Sequence, residues 1–209
     1  MDMYQRYSRN LPALSRQEQE LLHKKRVLVA GCGGLGGYIT ENLLRLGIGH
    51  ITAVDGDSFD VSNLNRQLLA TEATIGKSKA EAAKERAALV NPSVEFMAIG
   101  KYITPENAAD TIAGHNIVID ALDSVSARLL LEDACAQADI PLIHGAVCGW
   151  CCQYGVSMPG SGLLHVRCFL QIIGHFHDQR LPALANHARL ALRDAEVAAR
   201  LRQVAQVTV

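Results

Sequence analysis

Arg26-Val27-Leu28-Val29-Ala30-Gly31-Cys32-Gly33-Gly34-Leu35-Gly36 is the stretch on which the fold turns. Its first half, residues 26–31, is a short apolar run ending in glycine, the pattern of a strand buried on both faces. Its second half is a G-x-G-G-x-G loop. Glycines there let the backbone turn tightly and approach a phosphate. The helix expected next, from Leu35 to Leu46 with Gly47 as its stop, presents amide donors and a partial positive charge at its N-terminus. A second strand over residues 50–55 ends in Asp55, at the spacing expected of an acid that holds a ribose hydroxyl. The order strand, glycine loop, helix, strand, acid suits a nucleotide site. A tight turn needed only for packing is the alternative.

Outward from this unit, strands and helices keep alternating. Residues 77–90 are rich in Ala, Glu and Lys and read as a helix that Asn91-Pro92 ends. A third strand is expected at 94–99. Thr104 as N-cap and Pro105 in the first turn open a short helix. A fourth strand covers 116–123, Ser124 caps a helix to Ala138, and strands follow at 141–147 and 153–158. The pattern predicts an α/β fold: a doubly wound, mostly parallel, Rossmann-like sheet with helices on both faces. Residues 1–25 read as an N-terminal helical arm, 26–160 as the nucleotide-binding domain and 161–209 as a helical tail. In that tail Leu184, Ala188, Ala191, Ala195, Ala198 and Leu201 recur at helical spacing. The arm is expected to be helical over 12–24. The charges of Arg6–Asn10 have no evident local partner, so the arm is expected to leave its own sheet.

Composition narrows the classes. The chain has 209 residues, 20 Lys+Arg against 21 Asp+Glu, and a net charge of −1, so no global positive field attracts nucleic acid. No apolar run nears the ~20 residues that span a bilayer, so no membrane partner is expected. Met1–Arg6 lacks an apolar signal core. The six cysteines, 32, 135, 148, 151, 152 and 168, cluster instead of spacing out as a scaffold, which reads as reduced thiols in a cytoplasmic protein. Cys148, Cys151 and Cys152, with His144, His165 and Cys168 near, could bind a metal, form a redox disulfide or accept an acyl group. Against this, they lie at the end of a predicted core strand, where small buried cysteines are common.

Two basic segments follow the second strand: Ser62-Asn63-Leu64-Asn65-Arg66-Gln67 and Gly76-Lys77-Ser78-Lys79. Arg66 and Lys79 beside a phosphate loop suit a triphosphate, because they neutralise charge that builds up when the α–β bond breaks. Plain surface charge is the alternative. Asp123, at the end of the fourth strand, is placed to hold a Mg²⁺ that bridges phosphates. Asp120 reads equally as a buried, hydrogen-bonded acid, and Ser124 as a helix cap.

Taken together, Arg6–Asn10, Gly31–Gly36, Asp55-Gly56-Asp57, Ser62–Gln67, Gly76–Lys79 and Asp120–Ser124 resemble the ThiF/MoeB/HesA adenylyltransferases, relatives of ubiquitin-activating enzymes. The resemblance implies ATP and Mg²⁺ as cofactors. Gly31, Gly33, Gly34 and Gly36 would approach the nucleotide, and Asp55 would hold the ribose. Asp57, Ser62, Leu64 and Ser124 would line the site, and Asn63, Asn65, Arg66 and Lys79 would surround the triphosphate. Asp123 would work with Mg²⁺. Arg9 resembles the family's arginine finger, which reaches the partner subunit's site, and so implies a homodimer. The implied substrate is the C-terminal glycine carboxylate of a ubiquitin-like sulfur-carrier protein, ThiS- or MoaD-like, of the thiamine or molybdopterin type. The family's zinc-binding C-x-x-C pairs are missing: the first place reads His165-Val166-Arg167-Cys168, and no structural zinc is expected. Three other readings stay open. They are a tRNA-modifying dehydratase of the same superfamily, an NAD-dependent oxidoreductase, and a degenerate nucleotide-binding interaction protein.

Overall fold

The apolar run after Arg26 forms β1 (Arg26–Ala30), and its inner residues are fully covered because strands flank it on both sides. A computed structural model of the chain describes residues 3–11, 13–148 and 151–159. All of them lie in the first of two units, Met1–Gly160 and Ser161–Val209. The tail expectations (the Ala-rich helix, His165 and Cys168) fall outside the described residues.

The chain continues through α3 (Gly36–Leu46), β2 (His50–Val54), α4 (Lys79–Val90), β3 (Glu95–Ile99), α5 (Ala108–Ile112), β4 (Ile117–Asp120), α6 (Val125–Gln137), β5 (Leu142–Cys148) and β6 (Cys151–Ser157). Two short helices precede it, α1 (Met3–Arg6) and α2 (Arg16–His23). The six strands run in the order β3-β2-β1-β4-β5-β6; β1 to β5 are parallel and β6 pairs antiparallel with β5. The order reverses between β1 and β4. Right-handed crossovers therefore put α3 and α4 on one face of the sheet and α5 and α6 on the other. The core under α3 and α4 joins Val27, Leu44, Ile48, Ile51, Ala87, Val94 and Ile119.

The expected doubly wound, mostly parallel sheet is thus the observed one, with four local differences. β4 stops at Asp120, because the Asp120 carboxylate and the Arg128 side chain take the N–H and C=O of Leu122 out of the ladder. The helix expected at Lys77 starts at Lys79. Lys77 and Ser78 are engaged in a bridge, with Phe59 N–H donating to Lys77 O at 2.9 Å and Ser78 opposite Ser58. Thr104 is not the cap of α5. Asn107 holds the N-cap position, and its side chain ties back to Thr104 N–H at 2.9 Å and donates to Tyr102 O at 2.9 Å.

The fourth difference concerns the arm, which docks on its own domain. The last carbonyls of a helix have no intrahelical partners, and the arm's side chains supply them. Arg6 donates to Val90 O at the end of α4 (3.1 Å), and Asn10 and Gln19 donate to Leu46 O at the end of α3 (3.3 and 2.8 Å). Buried Asn91 links the two helix ends: its Nδ2 donates to Tyr7 Oη at 2.7 Å and to Leu44 O at 2.8 Å, and its Oδ1 accepts from Ser93 at 2.6 Å. Within the predicted 12–24 helix, α2 spans Arg16–His23, opened by a capping box of Ser15 and Glu18.

Replacing Asn91 by Ala strands the Leu44 carbonyl and the Tyr7 hydroxyl. This should cost about 1–3 kcal/mol in denaturant unfolding and speed limited proteolysis at Arg6 and Arg9. Unchanged stability and unchanged cleavage would contradict the docked arm.

Candidate functional site

The cleft forms where the strand order reverses. Gly31, after β1, has φ +94°, and a Cβ there would lie 2.7 Å from the Ala121 carbonyl oxygen after β4. A Cβ on Gly36 would lie 1.8 Å from the Gly31 carbonyl oxygen. Both positions therefore require glycine. The loop folds under the N-terminus of α3, and the cleft opens above it with a volume of about 550 Å³. This is the crevice in which open α/β sheets bind ligands.

Asp55 ties the glycine loop to the end of β2. Its Oδ2 accepts from Cys32 N–H at 2.7 Å and its Oδ1 from Asp57 N–H at 2.8 Å. Two backbone donors fix the carboxylate, and each oxygen keeps acceptor capacity for a ligand hydroxyl. Asp57 Oδ2 lies 3.0 Å from Lys79 Nζ, and Tyr102 Oη donates to Asp57 Oδ1. The Tyr102 and Lys79 hydrogen bonds hold the Asp57 carboxyl below the usual carboxylate range, and Asp57 in turn raises the Tyr102 hydroxyl. Lys79 is 7% exposed, so its ammonium has exchanged water for a carboxylate at the cleft wall. Arg66 is exposed and donates to Ser62 O at 2.9 Å and Asn65 Oδ1 at 3.0 Å. Asp123 and Ser124 stand on the opposite lip, and Ser124 Oγ caps α6 by accepting from Ala127 N–H at 3.5 Å.

The structure brings Gly31, Gly33, Gly34, Asp55, Asp57, Arg66, Lys79, Asp123 and Ser124 together around one cleft. Gly36 lies beneath it. Ser62, Asn63, Leu64 and Asn65 stand behind Arg66 and do not line the cleft: Asn63 is buried and accepts from Asp60 N–H at 3.1 Å, and Leu64 packs on the Phe59 cluster. Arg9 is exposed in a 3₁₀ turn, Ser8–Asn10, that docks on the C-terminal end of α3. The α3 helix, about 16 Å long, separates it from the cleft.

Four lining residues with polar or charged side chains have no role assigned from sequence: Gln67, Lys101, Tyr102 and Arg128. Gln67 and Arg128 lie inside quoted or helical stretches, but nothing in their spacing points them at a ligand. Tyr102 reaches the site through a loop whose path the sequence does not encode. Among the described residues, no three His, Cys, Asp or Glu side chains cluster as a metal site. Asp123, an exposed carboxylate facing the cleft, suits a hard cation that takes its remaining oxygens from phosphates and water.

Cys32 is fully buried beside Ala53 and Phe59; burial, with Asp55 adding to it, pushes its thiol up to about 12. Burial likewise pushes Cys135 up to about 12. Because the thiolate is the nucleophile, native protein at about pH 8 should leave Cys32 and Cys135 unalkylated by iodoacetamide while exposed Cys152 reacts. Peptide mapping that found Cys32 modified as fast as Cys152 would contradict this.

Comparison with known proteins follows the same lines. The ThiF family model matches residues 7–187. The molybdopterin-synthase adenylyltransferase of Salmonella typhimurium is 40% identical over 143 residues, covering 68% of this chain and 57% of the relative. The tRNA threonylcarbamoyladenosine dehydratase of Bacillus subtilis is 38% identical over 142 residues, covering 68% and 56%. Among solved structures, the Escherichia coli tRNA N6-threonylcarbamoyladenosine dehydratase, TcdA, in complex with ATP matches with a TM-score of 0.68 at 34% identity, covering 71% of this chain and 62% of that one. The chain spans little more than half the length of the two curated relatives.

Proposed function

The chain belongs to the ThiF family, and we propose that it is an ATP-dependent adenylyltransferase acting on the C-terminal glycine carboxylate of a ubiquitin-like sulfur-carrier protein, ThiS- or MoaD-like. One observation carries the reading: Arg66 and Lys79 share a single cleft with the glycine loop and Asp55. Two such cations suit a triphosphate better than the pyrophosphate diester of a nicotinamide dinucleotide. The Salmonella adenylyltransferase and the ATP complex of TcdA support it.

A carboxylate is already a nucleophile, so the chain's work is positioning and charge neutralisation. The amides at the start of α3 face the phosphates, and Asp55 orients the ribose. Lys79 exchanges its contact with Asp57 for phosphate oxygens, and Arg66 neutralises the leaving pyrophosphate. The products are an acyl-adenylate and pyrophosphate. Asp123 would hold Mg²⁺, which supplies further positive charge on the phosphates when bound. Arg9, on the far end of α3 from its own cleft, acts in the neighbouring subunit of a homodimer. Use of ATP and reduced thiols suit a cytoplasmic protein.

The tRNA-modifying reading shares the adenylation step, and the B. subtilis relative and TcdA favour it. The net charge of −1 weighs against an RNA partner.

ATP–pyrophosphate exchange in Mg²⁺ tests the proposal, with a carrier protein ending in Gly-Gly or with tRNA as the acceptor. Carrier-dependent exchange is expected, and Lys79→Ala or Asp123→Ala should reduce it about 100-fold or more. Arg9→Ala should reduce it too, and mixing Arg9→Ala with Lys79→Ala subunits should restore part of it, since one of the two sites is then intact. Exchange that needs tRNA and ignores the carrier would transfer the chain to the dehydratase reading. No recovery in exchanged mixed dimers would rule out the shared site.

A further inference from the structure

Beneath the Asp123 lip lies a buried polar cluster to which the proposed chemistry gives no part. Asp120, ending β4, and His144, in β5, are 0% exposed, and Arg128, one turn into α6, is 7% exposed. His144 Nδ1 lies 2.6 Å from Asp120 Oδ2, and Arg128 Nε lies 3.7 Å from the same oxygen. Asp120 Oδ1 accepts from Leu122 N–H at 2.9 Å. Arg128 Nε donates to Leu122 O at 2.8 Å, and its Nη2 donates to that oxygen as well. Both backbone polar groups of the residue before Asp123 are thus held by side chains of this cluster. On its far side His144 Nε2 lies 3.2 Å from Gln153 Nε2 of β6. With its Nδ1–H directed at Asp120, neutral imidazole uses Nε2 as the acceptor for the Gln153 amide. One tautomer satisfies both contacts.

A buried carboxylate without donors is costly, and burial is why Asp120 needs partners. Their arrangement does more than satisfy it. The cluster joins β4, α6 and the β5–β6 hairpin at the turn that carries Asp123 to the cleft. Rigid outer partners of a ligating group set where that group stands.

We propose that His144 is a positioning residue for the Asp123 turn. With Arg128 it fixes the Asp120 carboxylate, and through the Leu122 peptide it sets where the Asp123 carboxylate stands to meet Mg²⁺ on bound nucleotide. The inference rests on the adenylation reading for the role of Asp123 and adds a residue to it.

Calorimetric titration of ATP, in excess Mg²⁺ and in EDTA, tests this on wild type, His144→Leu and His144→Asn. Leu removes both nitrogens, and Asn keeps a donor near the place of Nδ1. His144→Leu should weaken ATP binding in Mg²⁺ about 10–100-fold and leave binding in EDTA unchanged, and His144→Asn should restore most of the loss. Equal weakening in both buffers would mean a general scaffold role and overturn the proposal, as would no weakening in either. Wild type that binds ATP no better in Mg²⁺ than in EDTA takes down the reading of Asp123 itself, a failure visible before any variant is made. Should His144→Leu not fold, ¹⁵N-histidine NMR of wild type decides. The slowly exchanging Nδ1–H signal of His144 should shift when Mg²⁺ is added to the ATP complex, and a signal that Mg²⁺ leaves in place overturns the proposal.

Discussion

Gly31 turns through a left-handed conformation with the Ala121 carbonyl standing where its side chain would be. That approach of two backbones, one leaving β1 and the other leaving β4, holds the cleft floor together. The strand order reverses there, so the first two crossovers go one way across the sheet and the next two go the other. The loops diverge above the contact, and the space between them is the site. Gly36, packed on the Gly31 carbonyl, brings the start of α3 to the same point. Buried strands set the spacing, glycines permit the approach, and the helix N-terminus supplies the donors.

Charge is arranged on this frame in two tiers. At the rim, Arg66 and Asp123 are exposed, available to a ligand. In the wall, Lys79 waits against Asp57, whose second oxygen is taken by Tyr102. Below the floor, Asp120 and Arg128 neutralise one another, His144 hydrogen-bonds the same carboxylate, and the three brace the turn. A cation held by a carboxylate at a cleft wall can be handed to a phosphate with little reorganisation, the economy expected of a site that works by electrostatics.

Most of the fold was legible because the signals are local. The apolar run at 26–30, the glycine loop and the acid at 55 each follow from near neighbours in the chain. So does Ser124, which caps α6 as its position before a helical stretch predicts. What was not legible depends on long-range partners. The arm's docking needs Asn91, 84 residues from Tyr7, and the helix-end carbonyls, which no pattern in residues 1–25 announces. The shift of α4 to Lys79 needs the bridge from Ser58 to Ser78. In the site, the charge of Arg66 and Lys79 near the glycine loop is the signal that singles them out in sequence. Tyr102 and Arg128 are not singled out, since their roles come from where a loop and a helix face return. Asp120 was ambiguous in sequence for a good reason: its meaning depends on His144, 24 residues on and one strand over.

The central claim is that this switch-point cleft is built for a triphosphate and not for a dinucleotide. Titration calorimetry of the wild-type chain with Mg²⁺·ATP and with NAD, in the same buffer, puts it to the test. The account predicts saturable binding of Mg²⁺·ATP, at least about tenfold tighter than NAD, a difference of about 1.4 kcal/mol. NAD binding as tight as or tighter than ATP would contradict it.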